Sequence, residues 1–217
     1  MIESKLSRPF KEDKTLPFLY LITNRKLCHP KSLEVVILEA LDSGVRFIQL
    51  REKDLNSHDL YLLAKKIKPL TDKYKAYLLI NERIDIALAV DAEGVHLPEK
   101  SLPVAEVRKL LGDKKIIGKS AHLPLYLNDN DFSRIDFITL SPVFNPGGKN
   151  YEAETIGMNR IKEAILTTPV PVYALGGIKP NHINELKKAG SSGIAISSGI
   201  MKADNIKKEV EEYLKVF

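Results

Sequence analysis

The chain has 217 residues, 44% of them hydrophobic and 28% charged, with a formal net charge of +5 and a pI near 9.1. That apolar share is enough to bury a continuous core, which excludes a disordered chain, and the lone cysteine, Cys28, excludes both an internal disulfide and a cysteine metal cluster. The basic residues sit in helical runs such as Ala64-Lys-Lys-Ile-Lys68 without interleaved aromatics, and no apolar run nears the ~18 residues that span a bilayer, so neither nucleic acid nor membrane is an expected partner.

Residues 1–14 are polar and lack the apolar stretch of a secretion signal, so a cytoplasmic home is expected, and 1–16 reads as an N-terminal arm of one domain covering 1–217. Eight apolar runs follow at regular spacing and predict strands at 18–23, 47–51, 76–81, 94–97, 116–120, 137–141, 170–175 and 193–197. Helical spacing lies between them. Residues 33–41 end at Gly44, 60–70 are amphipathic, 83–90 follow the third strand, and 104–111 are closed by Gly112. Residues 180–190 close on Gly190, and 205–217 supply the last helix. Strands that are apolar throughout and alternate with helices make a parallel sheet buried on both faces. Eight such units predict an α/β fold, a single (β/α)8 TIM barrel, with a doubly wound open sheet as the alternative.

In such a barrel the polar residues at the carboxyl ends of the strands converge on one mouth. Two apolar runs near the end of the chain, Val172-Tyr-Ala-Leu-Gly-Gly-Ile178 and Gly193-Ile-Ala-Ile-Ser-Ser-Gly-Ile200, finish in small residues. Bare backbone N–H groups at Gly176, Gly177, Ser197 and Ser198, with a helix start behind them, predict a phosphate cup after strands seven and eight. After strand two, Gln49-Leu-Arg-Glu-Lys53 alternates so that Gln49, Arg51 and Lys53 share a face, either as an anion site or as a strand end salt-bridged to Glu52. Strand three ends in Asn81-Glu82, where Glu82 is either a Mg²⁺ ligand or a helix cap. Strand five runs into Lys119-Ser-Ala-His122, whose histidine is either an acid/base or a hydrogen-bonded structural residue. Strand six leads to Ser141-Pro-Val-Phe-Asn-Pro-Gly-Gly-Lys149, with Lys149 on a glycine-rich loop. His96, inside strand four, is expected to pack rather than react.

With Leu79-Ile-Asn-Glu-Arg-Ile-Asp-Ile-Ala87, Gly94-Val-His-Leu97 and Ile117-Gly-Lys-Ser-Ala-His122 added to these runs, nearly the whole chain resembles the thiamine-phosphate synthase superfamily, which includes the TenI-like thiazole tautomerases. For a synthase the resemblance implies that Arg51, Lys53, Asn81 and Lys149 hold a pyrimidine diphosphate. Gln49 and Ser120 would then contact the pyrimidine, Gly177, Ser197 and Ser198 a thiazole phosphate, and Glu82 a Mg²⁺. For a tautomerase it implies no cofactor, with His122 as acid/base and Arg51 on the substrate carboxylate as the catalytic pair. The chain departs from the synthases at Glu82, where they carry Asp, and at Ser101, where they carry a second metal-binding Asp with Glu99 as its only nearby substitute. On Ser101 the expectation tips to the tautomerase, with the synthase as its close alternative and a non-catalytic phosphate-binding regulator behind both. A homo-oligomer is compatible with every reading.

Overall fold

The computed structural model describes residues 15–147 and 154–216. Among them eight parallel strands close into a barrel in chain order, each paired with the next and the last with the first. The strands are β1 (Leu19–Ile22), β2 (Phe47–Leu50), β3 (Tyr77–Asn81), β4 (Gly94–Leu97), β5 (Ile116–Ala121), β6 (Phe137–Leu140), β7 (Val172–Leu175) and β8 (Gly193–Ile196). Each lies within two residues of its predicted bounds, and the doubly wound alternative is excluded by closure.

The helices follow the same alternation with informative differences. After α1 (Leu33–Asp42), α2 (Ser57–Lys73) is longer than predicted at both ends. Asn56 caps it by accepting from Asp59 N, and beyond Pro69 the buried Thr71 keeps the helical period. The helices α3 (Ile84–Ala89) and α4 (Val104–Leu111) fall inside their predicted spans. A short α5 (Asp129–Phe132), held by a capping box between Asn128 and Asp131, has no apolar periodicity and was not predicted. After α6 (Gly157–Thr167), the helix predicted over 180–190 divides into a 3-10 turn at Pro180–His182 and α7 (Ile183–Lys188). Last come α8 (Ser198–Met201) and α9 (Ile206–Leu214), with Asn205 as the cap of α9. No described helix is long and apolar enough to cross a membrane.

Period-two alternation sends one side of each strand outward under the helices and the other into the barrel. The lower interior is filled by Tyr20, Phe47, Phe137 and Tyr173, with Tyr20 and Phe47 stacked at 4.1 Å and Phe137 and Tyr173 edge-on at 5.2 Å. Glycines make room for these rings. A Cβ on Gly118 would lie 2.3 Å from the Phe137 ring, and one on Gly193 would lie 2.3 Å from that of Tyr173. Leu16 packs beneath the cluster and the Tyr173 hydroxyl donates to Pro17 O at 2.9 Å, so the described end of the expected N-terminal arm closes the barrel floor. Residues 1–14 of that arm lie outside the described residues. At the same end Asp136 Oδ2 accepts from Arg108 Nη2 at 3.0 Å and from Ile117 N at 2.7 Å, a buried pair that ties strand starts together away from the mouth.

Gly118→Ala is expected to cost about 1–3 kcal/mol, the usual penalty of overpacking, because its Cβ collides with a fully buried ring that has nowhere to move. Urea unfolding of the variant against wild type measures it.

Candidate active site

Above the aromatic layer the barrel interior turns polar. Gln49 Nε2 donates to the Tyr20 hydroxyl at 2.9 Å, and that oxygen lies 3.3 Å from His96 Nδ1. His96 Nε2 in turn meets Ser120 Oγ at 3.0 Å and Thr139 Oγ1 at 3.3 Å. All but Ser120 are buried, and Ser120 is half-buried. His96 therefore packs, as expected, but as the hub of a network joining β1, β2, β4, β5 and β6. Burial, with the Arg51 and Lys119 cations adding to it, pushes the His96 imidazole down to about 3, so it is neutral.

The turn after β2 is fixed by Glu52, whose side chain is 1% exposed. Its carboxylate accepts from Thr23 Oγ1 at 2.7 Å, from Arg25 N at 3.0 and 3.1 Å, and from Arg25 Nη1 at 3.2 Å. Thr23 Oγ1 also accepts from Arg51 N at 2.9 Å. Asp54 is committed to Arg25 at 2.5 Å and to Lys26 at 2.8 Å, and the hydrogen bonds from these cations hold its carboxyl well below the usual range. The salt bridge expected at this strand end exists, but its cation is Arg25 rather than Arg51 or Lys53. Among the described residues neither the Arg51 nor the Lys53 side chain has a hydrogen-bond or ion-pair partner. Lys53 sits in the turn beyond the strand and lines a cavity of about 270 Å³ with Asn81, Glu82 and Glu52.

Glu82 occupies the left-handed region at φ +63°, as Lys75 and Asp91 do just after helices, a conformation that costs a non-glycine residue about 1 kcal/mol. Its N–H donates to His96 O at 2.9 Å and its side chain is exposed. The capping role weighed for it is not realised, because Arg83 is the N-cap residue of α3 and no side chain caps the helix.

The glycine-serine cup lines a cavity of about 770 Å³. Gly176 and Gly177 hold φ of +96° and +63°, and Cβ atoms there would meet Pro142 Cβ at 2.8 Å and Asn145 O at 2.5 Å, so only glycine fits the turn. Bonds from Val143 N to Leu175 O at 2.9 Å and from Phe144 N to Gly176 O at 3.0 Å stitch the β6 loop onto it. Among the described residues the N–H groups of Gly176, Gly177, Ser197 and Ser198 donate to no acceptor. The helix start expected to reinforce them is a single turn, α8, so the cup rests on these N–H groups. Lys179 and Lys202 also line the cavity. Neither carries a motif of its own in the sequence, although Lys179 directly follows the Gly-Gly-Ile run.

His122 lies just past β5, is half exposed, and lines neither cavity. Its Nδ1 is 3.2 Å from Glu99 Oε2, so Glu99, the substitute weighed for a metal ligand, is engaged by the imidazole. Ser101 Oγ accepts from Lys119 Nζ at 3.1 Å and donates to Leu102 O at 3.0 Å. Lys119 also donates to Pro98 O at 3.2 Å and Glu99 O at 3.1 Å, and burial lowers its ammonium from the ordinary lysine value. Of the residues singled out, Gln49 and Ser120 meet through the buried network, Lys53, Asn81 and Glu82 share one cavity, and the four cup residues share the other. Lys149 lies outside the described residues. Tyr20 and Thr139, integral to the network, were missed because each is one polar tip in an otherwise apolar strand.

The sequence profile of the family described as thiamine monophosphate synthase matches residues 19–200. A thiamine-phosphate synthase of Clostridium tetani is 38% identical over 199 residues, covering 92% of this chain and 95% of that protein. An Aquifex aeolicus protein provisionally named thiamine-phosphate synthase 2 is 48% identical over 180 residues, covering 83% of this chain and 95% of its own. Among solved structures, the thiamine phosphate pyrophosphorylase of Pyrococcus furiosus superposes with a TM-score of 0.80 at 32% identity, covering 92% of this chain and 94% of that one.

The neutral His96 has a consequence for acid stability. Between about 6.5, where an unfolded histidine titrates, and about 3, where the folded ring does, only the unfolded chain takes up this proton. Stability is therefore present above that window and lost as pH falls through it, with a slope approaching ~1.4 kcal/mol per pH unit for one proton. Urea unfolding from pH 7 to pH 4 should show the slope, and a His96→Asn variant should lose one proton's worth of it.

Proposed function

The chain belongs to the thiamine monophosphate synthase family, and within it we propose that it acts as a thiamine-phosphate synthase, joining a pyrimidine methyl diphosphate to a thiazole phosphate with release of diphosphate. This reverses the order that Ser101 suggested. The relatives bearing the synthase name favour it, and the observation that carries it is a cation outside the cup, Lys53, which lines a separate cavity with Asn81 and has no ion-pair partner among the described residues.

In the reaction the methylene C–O bond breaks with its electron pair leaving on the diphosphate. The thiazole nitrogen lone pair then forms the C–N bond to the pyrimidine methyl cation, and no proton moves. Such chemistry needs fixed positive charge around the leaving group more than it needs a base. Arg51 and Lys53 have no carboxylate partner among the described residues because Glu52 and Asp54 are bound by Arg25 and Lys26, so their charge is available to the diphosphate. Asn81 contributes its amide in the cavity it shares with Lys53, and the family resemblance assigns Lys149 the same task. Gln49 and Ser120 orient the pyrimidine above the aromatic layer, and Gly176, Gly177, Ser197 and Ser198 hold the thiazole phosphate.

The family implies Mg²⁺, and the donor set fits it in a reduced form. No group of three acidic, histidine or cysteine side chains that would hold a metal exists among the described residues, and Ser101 is occupied by the Lys119 ammonium. Glu82 is the available carboxylate at the 270 Å³ cavity. One carboxylate suffices for an ion that keeps waters and takes its other ligands from substrate phosphates. When bound, Mg²⁺ would neutralise charge on the departing diphosphate.

A second reading, the thiazole tautomerase, is favoured by the His122–Glu99 pair and the Ser101–Lys119 contact. There His122, oriented by Glu99, would move the ring proton with no metal.

Purified protein given both substrates and Mg²⁺ is expected to form thiamine phosphate; its failure to do so while aromatising the thiazole tautomer would install the second reading. Lys53→Ala should raise KM for the pyrimidine diphosphate by about 10–100-fold, the worth of a charge-assisted hydrogen bond, and leave thiazole phosphate binding unchanged. Glu82→Gln should raise the Mg²⁺ concentration needed for half-maximal rate, read from a metal titration.

A further inference from the structure

Two loops from different strands wall the cup cavity. Asn145, Pro146 and Gly147, after β6, form one side, and residues 176–181, after β7, form another. The loops are joined at their base by the bonds from Val143 N to Leu175 O and from Phe144 N to Gly176 O. Beyond that base residues 145–147 are exposed, and among the described residues they make no backbone hydrogen bond to the β7 loop. A ring contact spans the gap instead. The Phe144 and His182 rings, both half-buried, lie 4.0 Å apart between centroids with 34° between their planes. Neither ring lines the cavity, but the residues just after Phe144 and just before His182 do, so the pair sits behind the wall and links its two sides.

His182 is also fixed from its own loop. Lys179 N donates to His182 Nδ1 at 3.2 Å across the 3-10 turn at Pro180–His182. A ring that accepts at Nδ1 is neutral and carries its proton on Nε2. Burial, with the Lys179 cation adding to it and Glu185 working against it, lowers the imidazole from its ordinary value, in keeping with that state. We infer that His182 is a positioning residue for the phosphate-bearing substrate, because through Phe144 it braces the β6 loop against the β7 loop and so fixes the width of the cavity in front of the cup. A phosphate held by backbone N–H groups is sensitive to such a brace, since hydrogen bonds weaken steeply as donors tilt, and a wall set in advance need not be ordered on binding. This rests on the reading above that a thiazole phosphate occupies the cup, and it adds to that site a residue outside its lining.

The experiment has a binding and an exchange arm. By calorimetry, His182→Ala should weaken thiazole phosphate binding by about three- to tenfold, the worth of one aromatic pair, and leave pyrimidine diphosphate affinity within about twofold of wild type. His182→Phe, which keeps a ring over Phe144, should restore most of the loss. His182→Asn, which keeps an acceptor for Lys179 N but loses the ring, should not. Phe144→Leu should weaken binding as His182→Ala does, and the two together no more than either alone. In native-state hydrogen exchange the Phe144 amide should exchange faster in His182→Ala by a similar factor. Unchanged thiazole phosphate affinity in His182→Ala overturns the inference, as does an equal loss for both ligands, or rescue by Asn rather than Phe. Should the His182 variants not fold, Phe144→Leu carries the same expectation and the same refutation. A wild-type protein that binds no thiazole phosphate, but whose Phe144 amide exchanges faster in His182→Ala, upholds the brace and sinks the substrate reading instead, whereas unchanged exchange overturns the brace.

Discussion

Everything at the mouth stands on the height to which the barrel is filled. Tyr20, Phe47, Phe137 and Tyr173 occupy the lower interior, and Gly118 and Gly193 leave the space their rings need. Because side chains alternate with period two, the next inward residues along the same strands are Gln49, Thr139 and Ser120, which therefore lie on a rigid aromatic floor. Tyr20 belongs to both layers. Its ring stacks on Phe47 while its hydroxyl takes part in the polar network, so the Gln49 amide is anchored by a core residue.

The same economy governs the charges. A barrel mouth that binds anions needs cations without internal partners, yet this chain carries Glu52 and Asp54 within three residues of Arg51. The fold resolves the conflict by bringing Arg25 and Lys26 from the loop after β1 to both carboxylates, with Thr23 completing the shell of Glu52. The pairs to Asp54 are exposed and add little to stability, whereas Glu52 is buried and its pairing offsets the cost of that burial. Their value lies in the charge they leave over on Arg51 and Lys53.

Strand positions were legible because a parallel barrel imposes an apolar run of fixed length eight times, and the cup was legible because only glycine tolerates the backbone and the contacts at 176 and 177. What escaped is what depends on partners distant in sequence. Tyr20 and His96 are 76 residues apart, and Thr23 and Glu52 are 29 apart, so neither contact leaves a periodic trace. The salt-bridged strand end was anticipated and its cation was not, for the same reason. The helices that differ from expectation, α5 and α7, are short and set by capping and by Pro180 rather than by an apolar stripe.

Ser101 shows why a residue-by-residue comparison needs the neighbouring side chains. Considered alone, a serine in place of an acid subtracts a ligand and argues against a metal-dependent reaction. In the fold that serine is one of three oxygens around the Lys119 ammonium, so the position holds a fixed cation as well as lacking an anion. Lys119 is buried and its oxygens are neutral, so it is only partly offset. The change lowers the number of metal ligands and raises the positive potential on the same side of the barrel. For a departing diphosphate these act in opposite directions, which is why Ser101 weighs less against the synthase than its chemistry in isolation suggests.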